Sequence, residues 1–114
     1  MKSNGHALEM KSGFTVSCQA SERNYCTPRD DTGPYEAVEL GFPNTPDPLI
    51  AGYGEDPDNP TGTVYGWVPA HVVTALIMKH GGLVSGDVPP FVKDSTYAAG
   101  LAEIMHDPDF TVMP

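Results

Sequence analysis

No lysine or arginine occurs between Asp30 and Met78, although eight acids do: Asp30, Asp31, Glu36, Glu39, Asp47, Glu55, Asp56 and Asp58. Across the whole chain, 6 basic residues stand against 15 acidic ones, a net charge of −9. That balance argues against nucleic acid or an anionic membrane as a direct partner. Apolar runs fall far short of the roughly eighteen residues of a membrane span, and no apolar signal core follows a basic start. A soluble, cytoplasmic protein is expected. The chain has 2 cysteines, too few for a structural zinc set, and a reducing cytosol keeps them as free thiols. Cys18 shares the alternation of Phe14 and Val16 and reads as a small core residue, whereas Cys26 lies freer in a loop.

Phosphate loops, dinucleotide fingerprints, nucleophile elbows and metalloprotease helices are also missing, so neither cofactor nor metal is expected. Glu55, Asp56, Asp58 and Asn59 cluster oxygen atoms, but a calcium-loop register begun at Asp56 puts Thr61 where glycine is needed and Trp67 where a bidentate Glu closes the site. Asp31-Thr32-Gly33 resembles the Asp-Thr-Gly of aspartic proteases over three residues. The polar approach from Cys26 to Asp30 replaces that family's apolar strand, and Leu49-Ile50-Ala51-Gly52 comes too early for its second apolar-glycine element. The tripeptide reads as a turn.

Gly and Pro are plentiful, at 12 each, so loops take much of the chain. Residues 1–12 show neither periodicity nor a cap and read as a flexible arm, leaving a single domain over 13–114. Phe14 to Ala20 alternates as a strand, and Tyr35 to Phe42 reads as a second with Val38, Leu40 and Phe42 on one face. Leu49 to Ala51 is an apolar island among turn formers, and Thr63 to Val68 resumes strand chemistry. Pro69 suits a helix start and Gly81-Gly82 a helix end. Between them Val72, Val73, Leu76, Ile77 and His80 fall within about 140° of arc, one apolar stripe. A second helix is expected over Ser95 to His106, with short strands at Leu83-Val84 with Val88 and at Phe110 and Val112. The pattern gives a two-layer α+β domain: a mostly antiparallel sheet of about four strands with both helices on one face. Several apolar residues, some of Tyr35, Ala37, Tyr65 and Trp67 among them, are then expected on the uncovered face, where a homodimer would bury them.

His6, His71 and His106 read as arm or surface residues, but His80 lies within the apolar stripe in the last helical turn. Its ring either caps the free carbonyls of the helix end or faces Tyr or acid side chains from the loops in a pocket, placed for proton transfer or ligand binding. The candidate binding residues are His80, Tyr53, Trp67, Asp30, Asp31, Glu55 and Asp56. In size, acidity and lack of motif the chain resembles the small accessory proteins of bacteria, phages and mobile gene cassettes. The leading expectation is a non-catalytic binding protein that acts through protein contacts, with a basic protein as one partner. The alternatives are a small-molecule binder or modest enzyme with a pocket near His80, Tyr53 and the acidic loops, and a nucleic-acid mimic whose carboxylates stand in for phosphates.

Overall fold

The computed structural model describes residues 7–92 and residue 102. Five strands, β1 (Ala7–Met10), β2 (Thr15–Gln19), β3 (Ala37–Gly41), β4 (Val64–Pro69) and β5 (Leu83–Ser85), form one antiparallel sheet in the order β4-β3-β2-β1-β5. The α+β class is as expected, with five strands where about four were expected and one helix, α1 (Ala70–Lys79), among the described residues. Of the expected second helix only Ala102, which is helical, is among them, and the strand at Phe110 and Val112 lies outside.

Ala7–Met10, read as part of a flexible arm, is instead an inner strand held between β2 and β5. Leu8 and Met10 point into the core while Ala7 and Glu9 are exposed, which is the alternation of a strand with one buried face. Lys11 to Gly13 then turns the chain back to β2, with Gly13 in the left-handed conformation (φ 97°) that a three-residue hairpin loop requires at its last position. In β3, Val38 and Leu40 face inward as expected, but Phe42 leaves the strand at φ 53° and is exposed.

β4 and β5 occupy opposite edges, about 19 Å apart at the usual strand spacing. The ten residues of α1 rise about 15 Å, so the helix crosses the sheet to join them. Its buried stripe, Val72, Val73 and Leu76, packs on Leu8, Val16, Cys18, Val38 and Leu40. Burying each such side chain contributes roughly 1.5–3 kcal/mol. Ile50, fully buried, brings the apolar island of the 44–62 loop into the same core. The helix ends as its glycines dictate: Gly81 adopts φ 90°, the Gly81 amide donates to the Met78 carbonyl and the Gly82 amide to that of Ile77. This paired arrangement closes the last turn.

The outer face differs from expectation. Tyr35, Ala37 and Tyr65 are buried, so of the four residues from which that patch was to be drawn only Trp67 is exposed. Thr15, Ser17, Gln19 and Glu39 occupy it instead, and those three buried residues supply no apolar surface for a second copy. Cys26, expected to lie free in its loop, is buried, with Sγ donating to the carbonyls of Ser21 and Pro28.

Candidate functional site

Asp47 sits between Pro46 and Pro48, where two fixed φ angles limit the chain and the Asp47 carboxylate accepts the Leu49 amide at 2.9 Å. With Ile50 anchored in the core, that turn brings the carboxylate to the C-terminal end of α1. There Lys79 Nζ lies 3.1 Å from each oxygen, and His80 Nε2 lies 2.8 Å from Oδ2. The Asp47 side chain is only 3% exposed. A carboxylate so buried is tolerable because both its oxygens are engaged by cations or N–H groups.

His80 is the C-cap residue of α1, and the hairpin turn between β1 and β2 meets it there. The Ser12 amide donates to the His80 carbonyl at 3.0 Å, the Lys11 amide donates to Gly82, and Ser12 Oγ lies 2.7 Å from His80 Nδ1. The imidazole stacks on Phe14 with ring centroids 4.3 Å apart. His80 thus stands at the helix end, with its ring on Ser12 and a loop acid and not on the free carbonyls of the last turn. That acid is Asp47, not one of the candidates Asp30, Asp31, Glu55 or Asp56.

The other candidates separate. Asp30 accepts the amides of Thr32 at 3.0 Å and Gly33 at 2.9 Å, and these bonds, Gly33 first, hold its carboxyl below the usual aspartate range. Asp31 accepts the Glu22 amide. The Asp31-Thr32-Gly33 sequence is thus a side-chain-capped turn. Glu55 and Asp56 are exposed on the loop before β4, where Asp56 accepts the Asp58 amide, and Tyr53 packs half-buried against the core. A cavity of about 290 Å³ lies there, walled by Pro46, Pro48, Pro57, Tyr65, Asp47 and Asp56. A wider cleft of about 520 Å³ opens at the start of α1 beside Thr27, Glu36 and His71, away from every candidate. His71, expected at the surface, is half-buried on its wall. Of the eight acids between Asp30 and Met78, Asp30, Asp31, Glu39, Asp47 and Asp56 accept backbone amides.

Trp67 is held differently. Val38 pairs with Val68 and Leu40 with Tyr65, so β4 carries one extra residue opposite Glu39. This bulge puts Trp67 at φ 52° and turns its amide out of the ladder, onto the Tyr25 carbonyl at 3.0 Å. The Tyr25 amide in turn donates to Glu39 Oε1. The indole is 50% exposed and stacked on the Tyr25 ring at 4.8 Å, with Arg29 Cζ 5.5 Å above that ring. Tyr25, Ser12 and Asp47 escape sequence reasoning because each gains its role through a contact distant along the chain, and Arg29 gains its role only through Tyr25. The one local signal is the Pro-Asp-Pro around Asp47.

Both thiols are free and buried, and burial pushes the Cys18 thiol up to about 12. Among the described residues no helix is long and apolar enough to cross a membrane, and no group of three His, Cys, Asp or Glu could hold a metal ion. The chain matches no family model, no curated protein and no solved structure.

Proposed function

We propose that the protein acts through protein contacts, docking a basic partner on the surface formed by Trp67, Tyr25 and Arg29. The observation that carries this reading is the backbone of Trp67. A residue with a side chain in the left-handed region costs roughly 1–2 kcal/mol, a cost that glycine avoids. Here a tryptophan holds the position with half its surface in water. Stacking on Tyr25 returns about 0.5–1.5 kcal/mol, which at most balances the strain, so folding alone gives little reason for the indole. Trp, Tyr and Arg are the residue types that dominate binding energy at protein interfaces. Exposed acids flank them in the sequence at Asp30, Asp31 and Glu36, so a complementary surface carries lysine or arginine around an apolar slot.

Trp67 is the sole tryptophan, and its emission reports on this surface alone. Titration with a basic lysine–leucine peptide should shift the emission to the blue and saturate, weaken with added salt, and fail in a Tyr25→Ala variant. An unmoved spectrum, or an equal response to a glutamate–leucine peptide, counts against the reading.

The cavity beside Asp47 and Asp56 favours a second reading, binding of a small apolar cation between prolines and the Tyr65 ring. Piperidinium should then raise the melting temperature, and Asp56→Asn should abolish the rise.

A further inference from the structure

We propose that Ser12 is a primed nucleophile, activated by His80 and Asp47 toward activated esters and related acyl or phosphonyl compounds. The proposal rests on one hydrogen-bonded chain and is independent of the Trp67 surface. Ser12 is exposed at the tip of the hairpin, with Oγ 2.7 Å from His80 Nδ1, while His80 Nε2 is 2.8 Å from the buried Asp47 carboxylate. Exposure falls from nucleophile to base to acid, and each is within hydrogen-bond reach of the next, as an activated nucleophile needs.

Protonation follows from the partners. An ionised carboxylate only accepts, so Nε2 carries the hydrogen, Nδ1 of the neutral ring is bare, and the Ser12 hydroxyl donates to it. Lys79 offsets part of the Asp47 charge, so Asp47 acts chiefly by fixing the tautomer and the ring. Stacking on Phe14 fixes the ring plane. The Phe14 amide donates to Ser12 Oγ at 3.3 Å and leaves the hydroxyl hydrogen for Nδ1. The order of roles matches the Ser-His-Asp hydrolases, with the two ring nitrogens exchanged.

In the reaction, Oγ forms a bond to the acyl carbon as its proton passes to Nδ1, and the imidazolium is held against Asp47. The bond to the leaving oxygen then breaks, and that oxygen takes the proton from Nδ1. Water, giving its proton to Nδ1, hydrolyses the acyl-serine by the same path. The amides of Ser12 and Gly13 are bound to the carbonyls of His80 and Met10, so they do not serve as donors to a developing oxyanion. The substrate class is accordingly one with a good leaving group, such as aryl esters, and not amides.

A fluorophosphonate probe tests this at neutral pH, because it forms an Oγ–P bond with loss of fluoride. Peptide mass spectrometry should place the label on Ser12 in preference to Ser17 and Thr15. Ser12→Ala should abolish labelling, and His80→Gln, with folding checked by circular dichroism, should slow it about 100-fold or more. No label at Ser12, or an undiminished rate in folded His80→Gln, overturns the proposal. A Ser12→Cys variant covers the case where His80→Gln does not fold. Its new thiol is the exposed one, since Cys18 and Cys26 are buried. Iodoacetamide should alkylate it well below the ordinary thiol range of about 8.5, and urea should restore that range. An ordinary profile in the folded protein overturns the proposal equally.

Discussion

Lys79 and Asp47, 32 residues apart in the chain, meet as a nearly buried ion pair, with Nζ 3.1 Å from each carboxylate oxygen. This pair and the neighbouring His80 join the proline-rich loop to the end of α1. Removing one partner leaves the other charge buried and uncompensated, at a cost of about 3–5 kcal/mol. Asp47→Ala should lose that much in a urea melt. Adding Lys79→Met should recover part of it, and strict additivity of the two losses would show that the pair does not act as a unit.

Leu76 lies at the centre of the buried stripe of α1. Leu76→Ala should cost about 2–5 kcal/mol. A loss below about 1 kcal/mol in denaturant would mean that α1 does not organise the core.

At Trp67 two opposed effects of similar size meet. Trp67→Gly relieves roughly 1–2 kcal/mol of backbone strain and loses about 0.5–1.5 kcal/mol of stacking, so stability should change by less than about 1 kcal/mol. Trp67→Ala keeps the strain and loses the ring, and should be the less stable of the two. The reverse order in thermal melts would show that the bulge is unstrained.

The Asp30 carboxyl is depressed by the amides of Gly33 and Thr32. A group whose folded value lies below its unfolded one stabilises above the unfolded value, about 3.9. Its contribution should therefore be complete at neutral pH and fade as the pH falls through the folded value. A carboxyl-carbon NMR titration should find Asp30 with a midpoint below that of an unfolded aspartate, and a midpoint at or above it would contradict the turn geometry.

Neither thiol should react with a disulfide reagent in the native protein, and both should react in urea. Cys26→Ser should be tolerated, because a hydroxyl can donate to the Ser21 carbonyl as Sγ does. A bridged species in protein purified without oxidant would count against the free thiols.

α1 and the Leu49 to Ala51 island are legible in the sequence because their signals are local: a 3.6-residue apolar repeat bounded by Pro69 and Gly81, and apolar side chains set among turn formers. β1 is not, since four residues with Leu8 and Met10 in alternation are too few to separate from chance. Its β5 partner is far along the chain, with Ser85 and Glu9 separated by 76 positions. The aromatic character of Trp67 reads as regular strand, whereas its exposure comes from a bulge to which the Tyr25 loop is docked. Asp47 looks like one more turn former until the fold brings Lys79 and His80 to it. Local chemistry thus specified the helix and most strands, and tertiary contact created the candidate sites.

The crossing of α1 from one edge of the sheet to the other also sets an order of opening. β1 to β4 form a meander of sequence neighbours, closed by a three-residue turn and then by connections of 17 and 22 residues, but β5 reaches β1 only after the whole chain between them is in place. It is three residues long and exposed throughout. β5 should therefore be the first strand to exchange its amide hydrogens, opening without the rest of the sheet. Each such opening would bare the backbone of β1 as a new edge, the kind of surface through which sheets recruit further strands.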